Sequence, residues 1–336
     1  MKRNLARWAA SSAAAAICLS ALPAGASPAY TTFDPPNSIQ TVPQSINDAG
    51  VIAGYYEDST HAFHGFVRAA DGTITSFDPP GAIYTGASSI NSAGVIVGSF
   101  EYGQGGEQHE GFIRTPDGTI TAFSAEKSAD RTYANAINKE GAIVGTWTPH
   151  NVACCGFIRA ADGKTQSIKV IHQSRTIAVS INDAGTVAGY YTMGDQAAGF
   201  LRSPDGSIAT FQVSGAQATY PNSINNTDTV AGSYFEGNHY QSFLRTSDGT
   251  ITELDPFGAD GSQASAIDKR GSIVGTYYFA RDTYDQGYLR TDGGKFVKVN
   301  FPKSVGTAPQ SINDMDVIAG FYVDAARVAH GFVRSP

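Results

Sequence analysis

Charged residues are scarce in this chain of 336 residues: they make up 16% of it, and the formal net charge is -7. A coiled coil or helical bundle would need far more Ala, Glu, Lys and Leu, whereas a disordered chain would carry more charge and fewer aromatics. The acidic balance also disfavours nucleic-acid binding, which favours a basic surface. With 37 glycines against 3 methionines and 2 tryptophans, the composition is typical of a turn-rich all-β protein.

The familiar one-segment enzyme signatures are missing as well. The chain has no Gly-x-Ser-x-Gly elbow, His-Glu-x-x-His helix, EF-hand loop, glycine-rich phosphate loop or paired Cys-x-x-Cys. An active site assembled from several segments would leave no such local motif, so enzymatic activity stays open. No catalytic residue and no cofactor is predicted, and a metal site is left undecided.

Long apolar runs are absent beyond the N-terminus. There, basic residues at 2, 3 and 7 precede an apolar run over 9–22, which ends at Pro23-Ala24-Gly25-Ala26. This pattern predicts a secretory signal peptide over 1–26, cleaved after Ala26. The run is shorter than the ~20 residues of a membrane helix, so we predict no membrane span. The mature chain, 27–336, is expected to be a single secreted or periplasmic domain and a monomer.

Cysteine is rare, and the predicted mature chain keeps only Cys154 and Cys155. In an oxidising compartment these neighbours can form a vicinal disulfide. Two unpaired or separately buried thiols are the alternative.

Seven copies of one motif, 43 to 47 residues apart, fill the rest of the chain. The first copy reads Ser-Ile-Asn-Asp-Ala-Gly-Val-Ile-Ala-Gly at 45–54, Gly-Phe-Val-Arg at 65–68 and Asp-Gly-Thr-Ile-Thr-Ser-Phe-Asp-Pro-Pro at 71–80. A repeat of this length is typical of solenoids and propellers. Its Asn position recurs at Asn47, Asn91, Asn138, Asn182, Asn225, Asp268 and Asn313.

Each copy holds four short apolar or alternating runs separated by turn residues, which predicts four strands, a to d. In the second copy they are a at 87–91, b at 95–100, c at 111–114 and d at 119–123. The a–b connections predict a type I turn with Gly in the left-handed conformation. Asp228 and Asp316 replace this Gly in two copies, and Asp tolerates that conformation better than most residues. The recurring Gly of strand b, Gly98 in the second copy, is expected to let a Phe of a neighbouring repeat approach the strand.

Four-stranded units of this size predict a seven-bladed β-propeller. The last copy stops after strand c, at Gly331-Phe332-Val333-Arg334. Residues 31–36 match the strand d sequence at 75–80, so the N-terminal strand is expected to complete the last blade and close the ring. An open stack would leave unpaired edges, which proteins avoid.

The order Ile-Asn-x-x-Gly-x-Ile-x-Gly, His-Gly-Phe-x-Arg and Asp-Gly-Thr-Ile-x-x-Phe-Asp-Pro-Pro-Gly-Ala resembles the extracellular repeat proteins called the HAF family. The resemblance covers the whole mature chain, although Gly-Phe-Val-Arg departs from the His-Ala-Phe core of that family. It implies a secreted bacterial β-propeller and transfers no catalytic motif.

Strand alternation places the b–c and d–a connections on one face of the ring, and these vary in length and chemistry, as binding loops do. This face also collects histidines, tyrosines such as Tyr55 and Tyr284, and acids. Aromatic rings with polar neighbours suit sugars. The predicted ligand-binding residues of the face are His64, His109, His150, His239, His330, Trp147, Tyr56, Tyr191, Tyr234, Tyr278 and Tyr322.

Structural packing is the alternative for each of these residues. His64 and His330 both precede the Gly-Phe of strand c, and tyrosine pairs end several b strands. Strand a adds an inner ring, whose amides are expected to bond a ligand or the water of a channel. The predicted residues of that ring are Gln44, Asn135, Asn222 and Gln310.

We therefore predict a β-propeller binding module for a glycan or an extracellular protein. One alternative is a polysaccharide lyase or hydrolase that uses loop His and Tyr residues. The other is a structural or protein-interaction scaffold of the cell envelope.

Overall fold

The computed structural model of the protein describes residues 28–103, 108–149, 155–171 and 174–336. This part of the chain contains 28 β-strands and no helix, so the all-β prediction is confirmed. Each of the first six repeats forms four consecutive antiparallel strands and the seventh forms three, as predicted. In the first repeat β2 pairs with β3, β3 with β4 and β4 with β5.

In the part of the chain that the structure describes, the strands are joined by short connections. The terminal strands are β1 (Ala29–Phe33) and β28 (Ala329–Ser335). Between them lie β2 (Ser38–Ile46), β3 (Ile52–Asp58), β4 (Phe63–Arg68), β5 (Ile74–Phe77), β6 (Ala82–Ile90), β7 (Ile96–Tyr102), β8 (Gln108–Arg114), β9 (Ile120–Phe123), β10 (Ala129–Ile137), β11 (Ile143–Pro149), β12 (Cys155–Arg159), β13 (Thr165–Ile168), β14 (Arg175–Ile181), β15 (Val187–Met193), β16 (Gln196–Arg202), β17 (Ile208–Phe211), β18 (Ala218–Ile224), β19 (Val230–Glu236), β20 (His239–Arg245), β21 (Ile251–Leu254), β22 (Gly261–Ile267), β23 (Ile273–Tyr278), β24 (Gln286–Arg290), β25 (Phe296–Val299), β26 (Gly306–Ile312) and β27 (Ile318–Val323).

The a–b turns explain why the Asn of each repeat recurs. Asn47 accepts the backbone N–H of Val51 through its Oδ1, at 3.0 Å, and Gly50 completes the turn with φ +77°. Asp228 and Asp316 take the same left-handed conformation, with φ 56° and 60°, as predicted. The Asn side chain therefore replaces a backbone partner that the turn lacks.

The same Asn also joins neighbouring repeats. Its Nδ2 donates to the backbone carbonyl of the next repeat's Asn or Asp position, at 3.0 to 3.1 Å. The bond from Asn313 to Asn47 joins the last repeat to the first. Asp268 has no amide to donate, and there Arg270 contacts both Asp268 and Asp316 of the next repeat.

The recurring Gly of strand b contacts a different Phe from the one that was predicted. A Cβ at Gly54 would overlap the carbonyl oxygen of Val42 and lie 2.9 Å from the ring of Phe66. Phe66 belongs to the same repeat, since it faces Gly54 across the β3–β4 pair. The neighbouring-blade expectation is thus wrong: the Phe of strand c folds over the Gly directly opposite it.

Contacts between repeats instead use the Phe that ends strand d. Phe33 packs edge-on against Phe66 at 5.9 Å and lies under the Arg68 guanidinium at 5.0 Å. Phe77 contacts Phe112 and Arg114 of the following repeat in the same way. Arg159 and Arg245 lie over Phe123 and Phe211 in the same way. These four of the recurring Arg residues are therefore packing residues that join adjacent repeats.

The N-terminal strand completes the pattern. β1 pairs antiparallel with β28 over its whole length, from Ala29 opposite Ser335 to Phe33 opposite Gly331. Phe33 is 8% exposed and belongs to a core cluster with residues of the first repeat. β1 thus supplies the fourth strand beside β28 and also packs against the repeat that follows it.

Candidate functional site

Four of the histidines predicted to bind a ligand lie at strand ends rather than in loops. His64, His109, His239 and His330 are on strands β4, β8, β20 and β28. The structure corrects the predicted location because strand c begins earlier than expected, so the b–c connections are shorter. In the first repeat only residues 59–62 separate β3 from β4.

Four of the aromatic residues predicted to bind a ligand are core residues. Tyr56, Trp147, Tyr191 and Tyr234 are 3 to 8% exposed and belong to hydrophobic clusters. Trp147 also donates its Nε1–H to Ser167 at 3.2 Å. Side chains alternate between the two faces of strand b, and these four rings lie on the side that packs between repeats. They therefore pack in the core, which was the alternative to binding a ligand.

His64 and His330 occupy matching positions, each held between two aspartates. His64 contacts Asp78 through Nδ1 at 2.7 Å and Asp58 through Nε2 at 3.4 Å. His330 makes the corresponding contacts, at the same distances, with Asp34 and Asp324. We call these two triads the Asp-His-Asp clasps. Each ties the end of strand d to the b–c turn, a structural role.

Charge in the clasps favours protonated histidine. Burial lowers the pKa of His64 and of His330, but the hydrogen bonds and charges of their aspartates outweigh it, so both pKa values rise above the ordinary 6.5. A raised folded-state pKa stabilises the protein below the unfolded pKa, and this contribution is lost as the pH rises through the folded pKa. The clasps should therefore be strongest in mildly acidic solution.

We expect the His64→Gln/His330→Gln variant to lose less stability than the unsubstituted protein when the pH rises from about 5.5 to about 8.5. Urea unfolding at both pH values measures the difference. His239→Gln, which removes a histidine outside the clasps, is the matched control. Identical pH dependence in all three proteins would contradict the clasp assignment.

The remaining predicted residues are scattered. His239 and Tyr278 meet across the fifth and sixth repeats, with Nδ1 and Oη 3.2 Å apart, and Tyr322 stacks on Phe301 at 3.7 Å. His150 and Cys154 lie outside the described residues. Cys155 is buried and disulfide-bonded, which disfavours unpaired thiols, while the vicinal pairing stays a prediction.

One pocket brings several of the predicted residues together. It has a volume of about 300 Å³ and lies among the first three repeats, at the end of the protein where strands b finish and strands c begin. We call it the His109 pocket. Its polar and aromatic lining residues are Gln44, Tyr55, Tyr84, Ser88, Ser99, Phe100, Glu101, His109, Tyr133 and Asn135.

The imidazole and the carboxylate of this pocket form its central pair. His109 Nδ1 lies 3.5 Å from Glu101 Oε1, and the His109 ring is 5.2 Å from that of Tyr133. Burial lowers the pKa of His109; Glu101 opposes this and Arg131 adds to it. A neutral imidazole can both donate and accept a hydrogen bond, so this pair can bind a hydroxyl group or move a proton.

Tyrosines supply the apolar side of the pocket. The rings of Tyr55 and Tyr84 are 6.5 Å apart. Burial raises the pKa of Tyr55 and of Tyr84, and the neighbouring Glu101 raises that of Tyr84 further. Both hydroxyls therefore stay protonated over the physiological range and act as hydrogen-bond donors or acceptors.

The inner-ring amides are partly occupied by the fold. Asn135 donates its Nδ2 to the Ala178 carbonyl at 2.8 Å, and Asn222 donates to Ala264 at 2.7 Å. Asn135 and Gln44 line the His109 pocket, whereas Gln44, Asn222 and Gln310 line a second cavity of about 460 Å³. Only part of each amide is left for a ligand in Asn135 and Asn222.

Three residues of the pocket were not predicted to bind a ligand: Tyr84, Glu101 and Tyr133. Strand a of the second repeat was predicted to begin at residue 87, but β6 begins at Ala82, so Tyr84 belongs to the inner strand. In the sequence, the feature that could have placed Tyr84 on strand a is its position seven residues before Asn91, the recurring Asn of this repeat. Glu101 ends up beside His109 because they face each other across the β7–β8 pair.

Metal-ligating residues do not cluster in the part of the chain that the structure describes: no group of three or more His, Cys, Asp or Glu there could hold a metal ion. Within the same residues, no helix is long and apolar enough to cross a membrane.

Solved structures with a similar fold include a β-propeller domain and two enzymes. Virginiamycin B lyase from Staphylococcus aureus is 16% identical, with a TM-score of 0.62 over 91% of this chain and 99% of that one. The β-propeller domain of the Trilobed protease from Pyrococcus furiosus is 10% identical, with a TM-score of 0.60 over 88% and 94%. Puromycin hydrolase is 12% identical, with a TM-score of 0.60 over 90% of this chain and 54% of that one.

These likenesses show that the chain has a β-propeller fold. No protein-family model matches it, and no curated protein does. The resemblance of the repeats to the HAF family therefore stays a prediction.

Proposed function

We propose that the chain is a secreted, monomeric seven-bladed propeller of the HAF type, a single domain over 27–336 that binds a glycan in the His109 pocket. The pairing of β1 with β28 and the bond from Asn313 to Asn47 support a closed ring. The signal-like N-terminus supports export.

The observation that carries the proposal is the composition of the His109 pocket. Three tyrosines, Tyr55, Tyr84 and Tyr133, surround a buried histidine paired with Glu101. Tyr rings offer apolar faces to a sugar ring, while carboxylate, imidazole and amide groups bond its hydroxyls. The volume of about 300 Å³ lies at the low end of ligand pockets and suits one or two sugar units.

A glycan array followed by calorimetry tests this function. We expect Tyr84→Ala and Tyr133→Ala to weaken binding about tenfold or more, because each removes a ring that packs on the sugar. Tyr240→Ala is the matched control, since Tyr240 is exposed in the fifth repeat. Equal affinity in all variants would place the site elsewhere.

The His109–Glu101 pair also favours a second candidate, a polysaccharide lyase or hydrolase. Because burial lowers the pKa of His109, its imidazole is neutral near pH 7 and can accept a proton from a bound sugar. A panel of polysaccharides assayed for chain cleavage distinguishes the two functions. An enzyme should lose turnover in His109→Asn by a much larger factor than it loses sugar affinity, whereas a binding module shows no turnover at all.

A further inference from the structure

A third cavity, distinct from the two described above, lies between the sixth and seventh repeats. It is a groove of about 740 Å³, and it shares no lining residue with the His109 pocket. One side comes from the connection between β23 and β24, and another from the end of β25. The turn between β27 and β28 contributes Ala325 and Arg327. We call it the basic groove.

Cationic side chains dominate this groove. Arg281, Lys298 and Arg327 line it with Asp282 as the one acidic residue. Among the described residues Lys298 and Arg327 form no ion pair, although Lys298 lies over the Phe257 ring at 5.4 Å. Arg281 lies over the Phe279 ring at 5.2 Å and forms a long ion pair with Asp282, at 4.0 Å. In a chain whose net charge is -7, three cations against one acidic residue in a single cavity favour a negatively charged ligand.

The groove also contains groups that suit hydroxyls and rings. Asn300 lines it, and the Oδ1 of Asn300 is buried without a hydrogen-bond partner in the described part of the chain. A buried carbonyl oxygen of this kind is satisfied when a ligand hydroxyl or water donates to it. Phe279 and Tyr284 add aromatic surface, which can pack on the apolar face of a sugar.

We propose that the basic groove binds an anionic glycan, with sugar carboxylates paired to Arg281, Lys298 and Arg327 and a sugar hydroxyl donating to Asn300. A volume of about 740 Å³ exceeds what a small inorganic anion occupies and fits several sugar units. This inference goes beyond the function proposed for the His109 pocket and does not depend on it.

Oligogalacturonate and its methyl ester are the probes, because esterification removes the charge and keeps the sugar. We expect saturable binding of the acid form, at least tenfold weaker binding of the ester, and weakening by added salt. Lys298→Gln and Arg327→Gln should each lower affinity about fivefold, as expected for the loss of one charge pair at an exposed site. Lys295→Gln, in the c–d turn of the same repeat, is the matched control.

Three results would overturn the assignment: no binding of the acid form, equal binding of acid and ester, or unchanged affinity in Lys298→Gln and Arg327→Gln. Competition by inorganic phosphate at the same molar concentration would also overturn it, since it would indicate a small-anion site. Tyr84→Ala separates the two sites. It should leave oligogalacturonate affinity unchanged, so that failure at one site does not imply failure at the other.

Discussion

Phe33→Ala is expected to lower the free energy of unfolding by about 3–5 kcal/mol, the usual cost of removing a buried Phe ring. The ring is 8% exposed and contacts Phe66 and Arg68 of the first repeat. It also covers Gly331 of the last repeat, where a Cβ would lie 2.8 Å from it. Chemical denaturation measures the loss.

Phe77→Ala is the matched control for the proposed ring closure. Phe77 is 9% exposed and makes the same contacts between the first and second repeats, but its strand is held in the chain on both sides. Phe33 belongs to β1, whose pairing partner β28 comes from the opposite end of the described chain. We therefore expect Phe33→Ala to cost more and to expose the amides of β28 to hydrogen exchange. Equal costs, with no change in β28 exchange, would argue that β1 packs without closing the ring.

The second large effect is expected at Gly189, one of the recurring glycines of strand b. A Cβ there would overlap the Ile177 carbonyl oxygen and lie 2.8 Å from the Phe200 ring. The carbonyl belongs to strand β14 and cannot move without breaking its pairing with β15. Gly189→Ala should therefore cost about 3 kcal/mol or more.

Gly156→Ala is the comparison for this variant. Gly156 also lies in a strand, but its nearest neighbours would be 3.3 to 3.4 Å from a new Cβ. Since alanine also restricts the unfolded chain, we expect a loss of about 1 kcal/mol or less. Failure of Gly189→Ala to fold beside a folded Gly156→Ala would agree with the packing argument. Similar stability in both variants would refute it.

The chain shows a natural counterpart of this steric rule in strand c. Gly65 faces Phe77, and a Cβ on that glycine would meet the Phe ring at 2.7 Å. In the fifth repeat Ser242 occupies the same place and faces Leu254. The larger residue in strand c thus coincides with a smaller one in strand d.

Local features of the sequence were sufficient for the secondary structure. Apolar alternation and the turn glycines, repeated in seven copies, predicted four strands per repeat, because these signals act within a few residues of one another. The Asn turns and the left-handed Asp228 and Asp316 followed from the same local chemistry. The strand limits were less accurate: β6 begins five residues before the predicted start.

Tertiary contacts decided which side chains remain available for a ligand. Tyr56 and Tyr55 are neighbours in sequence, yet Tyr56 is buried in a core cluster while Tyr55 lines the His109 pocket. The direction of each ring in the strand, and the repeat that packs against it, make this difference.

The sequence by itself determined the repeat, its strands and its turns. The tertiary structure decided the pocket, because its residues come from three repeats and meet only when those repeats pack side by side. It placed Glu101 opposite His109 and Tyr133 beside it, and it gave His64 and His330 aspartate partners that make them structural. Strand register within one repeat brings Glu101 and His109 together, whereas the Tyr133 and Asp34 contacts depend on the packing of different repeats, which no local pattern records.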